Sequence, residues 1–311
     1  MLTLVTPRAR SGARIAALAA GVAALALTAT MLAGREGDAV LPSLWRGGFE
    51  TSDLRQWEHT WQGRDQSAQF QLTRSPSRDG GLAARFTVRP GDVYGASTGE
   101  RSELALVHSA EGPGQQWYYA WSTLFPVGWE APRSWGAIVQ WHSRFPVPAA
   151  IAFDARGSTL KLQLFAGPIS TSGLVTRTWQ LLGGLSPGRW NDFVVYVRWS
   201  ASDGAIQVWH RLAGQRAYRR VLAVTGVPTL QFDTTGVSSN YLKLGLYRNV
   251  DTATSVVVHD SMRRAPSLAE ALAAGPDPVR EGALRAMLRQ DASVAGTEPA
   301  SADPSDGHRK P

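Results

Sequence analysis

"DFVVYVRWSASDGAIQVWHRL", residues 192–212, contains two stretches rich in Val, Trp, Tyr and Phe on either side of a short polar segment. That segment, "SASDG" (200–204), is typical of a hairpin, because Asp-Gly favours the tight turns that join antiparallel strands. Similar short runs recur throughout residues 40–264, and no long helical period interrupts them. The sequence therefore predicts an all-β domain over 40–264. Two packed antiparallel sheets, a sandwich or jelly roll, are favoured over a closed barrel.

The N-terminal segment has the pattern of an export signal. Three arginines precede an uncharged, apolar stretch, residues 15–34. This stretch is also about long enough to span a bilayer, so residues 1–39 are interpreted as a cleaved signal peptide or a membrane anchor. In either case we expect the body of the protein outside the cytoplasm, secreted into the extracellular space or the periplasm.

The C-terminal segment, 265–311, changes to helical character. Ser267 and Glu270 have the spacing of a capping box, in which two residues satisfy each other's free groups at a helix start. The segment "DPVREGALRAMLRQ" (277–290) begins with Asp-Pro, the order preferred at the first helical positions. Two short helices are predicted, followed from about Ala292 by a disordered tail without chemistry.

Charge and composition restrict the class of partner. The 311-residue chain has a net charge of +7, and residues 40–264, with 23 Lys and Arg against 16 Asp and Glu, carry all of it. Such an excess indicates an anionic partner. Because Lys/Arg-rich runs and nucleic-acid motifs are absent from the sequence, an acidic polymer is favoured over nucleic acid or a lipid surface. The protein is expected to be a monomer. The absence of cysteine excludes disulfides, thiolate metal sites and Cys nucleophiles.

Three strand-like segments carry polar side chains with a period of two, which places them on one face of each strand. They are Tyr241, Lys243 and Tyr247 in "YLKLGLYRN", Arg101 and Glu103 in "RSEL", and Gln140 and His142 in "QWH". Each motif alone is also ordinary, either as a surface ion pair or as a half-exposed strand. Side by side in one sheet, they would form a polar floor whose guanidinium and amide groups suit the carboxylate of an acidic sugar.

Taken in chain order, "RSEL", "QWH" and "YLKLGLYRN" resemble the R-[ST]-E-L, Q-x-H and Y-x-K-x-G-x-Y motifs of jelly-roll polysaccharide lyases. The alginate lyases show these motifs most clearly. "GGFETSDLRQW" (47–57) and "VVVHDSMRR" (256–264) are similar to the opening and closing segments of the related heparin lyase I and glucuronan lyase group. The resemblance covers about residues 45–264. It implies a concanavalin-like jelly roll that cleaves a uronic acid polymer by β-elimination, giving 4,5-unsaturated uronate ends. Ala105 stands where alginate lyases usually carry Arg, which favours a glucuronan- or heparin-like polymer over alginate.

The resemblance also implies catalytic roles. Gln140 and Arg101 would neutralise the substrate carboxylate, so that the neighbouring C5 proton can leave. His142 or Tyr247 would remove that proton, and Tyr247 would protonate the departing O4.

Further expectations concern substrate and metal binding. Gly245 is expected to leave room for the sugar ring, and Glu103 to orient Arg101. The substrate-binding residues implied by the resemblance are Glu103, Lys243, Tyr241 and Arg248. The chemistry requires no cofactor, but the group can carry a structural Ca²⁺, for which Glu50 and Asp260 are the corresponding oxygen ligands.

Two other classes of protein remain open from the sequence. A glycoside hydrolase on a similar sandwich would need a close pair of carboxylates, and no E-x-D-x-x-E strand occurs. A non-catalytic carbohydrate-binding jelly roll would keep the fold without the chemistry. Since every catalytic position of the lyase motifs is filled, the lyase is favoured.

Overall fold

The computed structural model describes residues 43–62, 66–95, 97, 99–170, 173–273 and 281–292. In chain order the strands are β1 Trp45–Arg46, β2 His59–Gln62, β3 Phe70–Thr73, β4 Ala83–Val88, β5 Gly99–Glu111, β6 Gln116–Leu124, β7 Gly136–His142, β8 Ile151–Arg156, β9 Thr159–Pro168, β10 Val175–Leu182, β11 Trp190–Arg198, β12 Gly204–Leu212, β13 Arg219–Val227, β14 Gln231–Asp233, β15 Gly236–Ser238, β16 Asn240–Asn249 and β17 Ser255–Ala265. The helices are α1 Gln66–Gln69, α2 Leu268–Ala273 and α3 Glu281–Ala292. The predicted export signal and C-terminal tail lie outside the described residues.

The strands form two sheets, which confirms the all-β jelly-roll prediction and rules against the closed barrel. The back sheet has the order β13-β12-β11-β6-β17-β4-β3, with β1 paired to β17. The front sheet has the order β15-β14-β9-β8-β7-β16-β5-β2, with β10 paired to β9. Among the described strands all pairings are antiparallel apart from the short contact between β14 and β9. The predicted hairpin at 200–204 joins β11 to β12.

The core lies between the inner faces of the two sheets. Trp121 and Phe193 of the back sheet meet Trp141 and Phe153 of the front sheet, and all four side chains are almost fully buried. The ring centroids of Trp121 and Phe153 are 5.0 Å apart in an edge-to-face arrangement, which aromatic rings prefer. Full burial of each such side chain stabilises the fold by about 1.5–3 kcal/mol, so these contacts hold the sheets together.

The C-terminal helices pack on the outer face of the back sheet. Apolar residues of both helices form one buried cluster with side chains of β6, β11 and β12, among them Leu268, Leu272, Met287, Ala120, Val194 and Trp209. The predicted capping box is present, since Ser267 Oγ accepts the Glu270 amide at 3.2 Å and donates to the Glu270 carboxylate at 2.6 Å. Within the described part of the chain, no helix has the length and hydrophobicity needed to cross a bilayer.

Candidate active site

The three polar segments lie on adjacent strands of the front sheet. β16 is paired with β5 on one side and with β7 on the other. The register places the predicted site residues opposite one another: Tyr247 and Arg101, Lys243 and Gln140, Tyr241 and His142. The alternating leucines of β16 belong to the core. The predicted polar floor is therefore one face of a single sheet, on the side away from the core.

Glu103 is the centre of this face. One of its carboxylate oxygens accepts a hydrogen bond from Gln140 Nε2 at 2.5 Å, and the other from Lys243 Nζ at 2.7 Å. Arg101 Nη1 lies 3.6 Å from the same carboxylate. Three cationic or N–H groups, one from each strand, thus converge on a single acceptor.

Glu103 and Lys243 are each only 2% exposed, close to the 3% of Gln140, and their contact with the substrate stays a prediction. The Glu103 carboxylate is already engaged by Gln140 and Lys243, so both residues support their neighbours on the sheet face. Burial lowers the pKa of Lys243 to about 8, against the opposing charge of Glu103. The pair is thus a buried ion pair whose two charges depend on each other.

Tyr247 is held by contacts on several sides of its ring. The guanidinium carbon of Arg101 lies 3.8 Å from the ring centroid, a cation–π distance. Trp135 packs edge-on at 4.7 Å, and a side chain at Gly99 would collide with the phenol ring. Arg101 is fixed in turn by a 2.5 Å hydrogen bond to Ser97 Oγ. Trp135, Gly99 and Ser97 were not predicted from the sequence.

His142 has one ring nitrogen directed to the backbone. Its Nδ1 is 2.5 Å from the carbonyl oxygen of Ser143, which can only accept, so Nδ1 carries the proton and Nε2 presents a lone pair. Burial lowers the pKa of the ring, which is therefore neutral at pH 7. Tyr241 lies beside it with ring centroids 5.7 Å apart. Burial, together with the charge of Glu103, raises the pKa of Tyr241 to about 12, so this phenol stays a hydrogen-bond donor.

Gly245 does not face the substrate side, contrary to the prediction. The register between β16 and β7 shifts between Leu244 and Tyr247, and this irregularity turns Gly245 out of the alternation. Its φ is +147°, and an added Cβ would clash with the carbonyl oxygen of Ser102 and lie 3.0 Å from the Phe86 ring. A glycine is needed here because the backbone of β5 comes so close to Gly245 that no side chain fits between them.

Arg248 is also wrongly predicted as a substrate-binding residue. Its side chain is fully buried, on the core side of β16. It bonds to the Glu100 carboxylate, to Ser255 Oγ at 2.8 Å and to the carbonyl oxygen of Ala253 at 2.6 Å. Because these partners use its charge and its donors, Arg248 is a structural residue.

The predicted calcium ligands do not fit a metal site. The carboxylates of Glu50 and Asp260 accept four backbone N–H bonds of 2.7–3.0 Å from the turn 78–82. Ca²⁺ requires about six to eight oxygen ligands, and these oxygens are already engaged by donors. Among the described residues there is no group of three or more His, Asp or Glu side chains arranged to hold a metal.

The remaining groups of the polar face are suited to acid–base chemistry on an anion. Arg101 and Gln140 can donate to a carboxylate, His142 can accept a proton, and Tyr247 can give one. All four lie on one face of the front sheet of a two-sheet jelly roll. A family model described as "Polysaccharide lyase" matches residues 49–263, so the chain belongs to this polysaccharide lyase family and is an enzyme of that class.

The solved structures that are similar to this chain include two lyases and a glucanase. An endo-β-1,4-glucuronan lyase from the fungus Trichoderma reesei has a TM-score of 0.59 and 17% identity, over 75% of this chain and 98% of that one. The marine PL-14 alginate lyase from Aplysia kurodai has a TM-score of 0.50 and 7% identity, over 73% and 97%. The GH131 β-glucanase catalytic domain from Podospora anserina has a TM-score of 0.49 and 12% identity, over 68% and 85%. No curated protein matches the chain.

Proposed function

We propose that this polysaccharide lyase acts on a uronic-acid-containing polymer and cleaves it by β-elimination, leaving 4,5-unsaturated uronate ends. The observation that carries the proposal is the order of His142, Gln140 and the Arg101–Tyr247 pair along one sheet face. A carboxylate-binding pair flanked by a proton acceptor and a proton donor is what elimination from a uronate requires.

Neutralisation of the substrate carboxylate is the first requirement. The C5 proton is hardly acidic while the adjacent carboxylate keeps its full charge, because negative charge must spread into that group as the proton leaves. Gln140 gives one N–H to Glu103 and keeps the second for the substrate, while Arg101 supplies a fixed positive charge. A positioned donor to such a developing anion is worth about 3–4 kcal/mol.

Proton transfer is the second requirement. We assign Nε2 of His142 as the base that takes the C5 proton, because its Nδ1–H is fixed on Ser143. The electron pair left on C5 forms the C4=C5 double bond, the C4–O4 bond breaks, and the phenol of Tyr247 gives its proton to O4. The alternative is that Tyr247 serves as both base and acid from one side of the sugar. Each positioned group contributes ~100- to 10,000-fold.

The polymer is proposed to be glucuronan-like. Ala105 is buried and supplies no cation at the position where alginate lyases usually carry Arg, and the Trichoderma reesei enzyme of the same fold is named a glucuronan lyase. We further propose that the enzyme is secreted as a monomer, with residues 1–39 as its export signal or anchor.

The experiment is a screen of glucuronan, alginate, heparin and hyaluronan that follows the ultraviolet absorbance of the conjugated unsaturated uronate. We expect the absorbance to rise with one of these polymers and to fall to background with a folded Tyr247→Phe protein. New reducing ends without this absorbance would identify a hydrolase instead. Polymer binding without any cleavage would identify a carbohydrate-binding protein, and either result would overturn the proposal.

A further inference from the structure

A cavity of about 290 Å³ lies beside β1 and β17 of the back sheet. The active-site residues belong to the front sheet, so the cavity is a separate feature. Its lining includes Arg46, Glu50, Asp79, Ser261 and Arg263. The volume is at the lower limit of ligand pockets, which span ~300–1,000 Å³, and it suits one small organic molecule.

Arg263 has an unusual environment for an arginine. The residue is only 5% exposed, and its Nε is buried without a hydrogen-bond partner. Among the described residues its side chain has no hydrogen-bond or ion-pair partner. A buried N–H donor without a partner costs about 1–3 kcal/mol, so this nitrogen favours an acceptor beside it.

The cavity lining carries two guanidinium groups, Arg46 and Arg263, and two carboxylates, Glu50 and Asp79. Burial lowers the pKa of Arg263, the opposing charges of Tyr218, Asp79 and Asp192 act against this, and the like charge of Arg46 adds to it. Both oxygens of Glu50 accept backbone N–H bonds, at 2.7 and 3.0 Å, which reduces their pull on a cation. Two guanidinium groups therefore line the region for which the resemblance implied Ca²⁺.

We propose that this cavity is a non-catalytic site that binds the carboxylate of an acidic sugar. A planar guanidinium matches a carboxylate through two parallel hydrogen bonds, and this pairing would satisfy the buried charge of Arg263. That the ligand is a carboxylate rests on Arg46 and Arg263. That it is a uronate unit of the polymer rests on the proposed function.

Calorimetric titration with free glucuronate tests the site, with glucose, sodium sulfate and calcium chloride as comparison ligands. The proteins are the parent, Arg101→Gln to disable the front-sheet carboxylate site, Arg263→Gln, and the double variant. We expect Arg101→Gln to bind one equivalent of glucuronate, and the double variant to bind at least about tenfold more weakly. Arg263→Lys keeps the charge without the planar fork, and intermediate binding is expected.

Thermal unfolding without ligand gives a second readout. Because Arg263→Gln removes an unpaired buried charge, the variant should melt no lower than the parent, which separates lost binding from lost folding. Equal glucuronate binding by Arg101→Gln and the double variant, sulfate binding as tight as glucuronate, or stabilisation by calcium alone would each overturn the proposal. Glucuronate binding in the absence of lyase activity on every polymer would refute the proposed function while the carboxylate site stands.

Discussion

The ammonium group of Lys243 lies 2.7 Å from Oε2 of Glu103, and both side chains are only 2% exposed. The other oxygen of the same carboxylate holds the amide of Gln140. One buried residue of β5 thus fixes a side chain on each of the two strands β7 and β16. The arrangement of the groups proposed to bind the substrate therefore depends on a carboxylate that lies beneath them.

The first prediction concerns the substitution Glu103→Gln. It keeps the shape of the side chain but leaves the Lys243 charge buried and unpaired, which should lower the free energy of unfolding by about 3–5 kcal/mol. Turnover should fall as well, because the amide has one acceptor oxygen for two donors, the side chains of Gln140 and Lys243. Urea unfolding and the elimination assay measure the two effects.

The matched control is the double variant Glu103→Gln/Lys243→Met. Removing both charges should recover most of the stability, since apolar replacement of a buried ion pair is often neutral. Activity should recover only in part, because Arg101 still lacks the carboxylate that lies 3.6 Å from its Nη1. A double variant as active as the parent would show that Glu103 does not position the site.

The second prediction distinguishes the two candidate bases. His142→Ala should reduce turnover by ~100- to 10,000-fold if Nε2 of His142 takes the C5 proton. Polymer affinity should change little, because Arg101 and Gln140 remain in place. Tyr247→Phe should cause a loss of similar size in either mechanism and serves as the comparison. If His142→Ala keeps substantial activity, Tyr247 acts as both base and acid.

The sequence predicts much of this site because side chains alternate between the two faces along most of β5, β7 and β16. It placed Gln140, His142 and Arg101 on one face, and the register puts their strands β7 and β5 on either side of β16. Arg248 was predicted to bind substrate from the resemblance, although it shares the parity of the core leucines, and the structure buries it. Gly245 departs from the rule because the local register shift cannot be read from residue types.

Other features depend on partners distant in sequence. Trp135 and Ser97 reach the site from loops, where periodicity gives no direction. The net charge indicated an anionic partner near the site, but part of the positive charge is buried elsewhere in the fold. Among the residues that the structure describes, the buried arginines are Arg211, Arg248, Arg263 and Arg264. Charge counted along the chain could not reveal this distribution.

The third prediction concerns Gly245→Ala. The new Cβ would clash with the Ser102 carbonyl oxygen and lie 2.8 Å from Glu103 Cα, in a backbone region with positive φ. Strain at positive φ costs about 1–2 kcal/mol, and overpacking about 1–3 kcal/mol more. Gly114→Ala is the control, because Gly114 has φ +80° with open space around its Cβ. Equal losses in urea unfolding for the two variants would contradict the role given to strand approach.

The fourth prediction is an acid-dependent loss of stability caused by His259. This histidine of β17 is fully buried, with Nδ1 3.0 Å from Thr123 Oγ1 and Nε2 3.0 Å from the carbonyl oxygen of Gly245. The carbonyl can only accept, so Nε2 carries the proton and the ring is neutral. Burial lowers the pKa of His259 from 6.5 to about 4. His259 therefore bridges the back sheet to the irregular segment of β16.

The sign of the pH effect follows from where each state takes up the proton. As the pH falls from 6.5 towards 4, the unfolded chain protonates His259 while the folded protein does not, so stability is complete above pH 6.5 and is lost on acidification. The difference between the two pKa values, 6.5 and about 4, corresponds to about 3 kcal/mol in the free energy of unfolding. His259→Gln keeps an N–H donor for Gly245 but does not titrate, so its free energy of unfolding should fall less between pH 7 and pH ~4.5 than that of the parent. Urea unfolding of both proteins at the two pH values measures the difference, and parallel losses would show that His259 is not the group responsible.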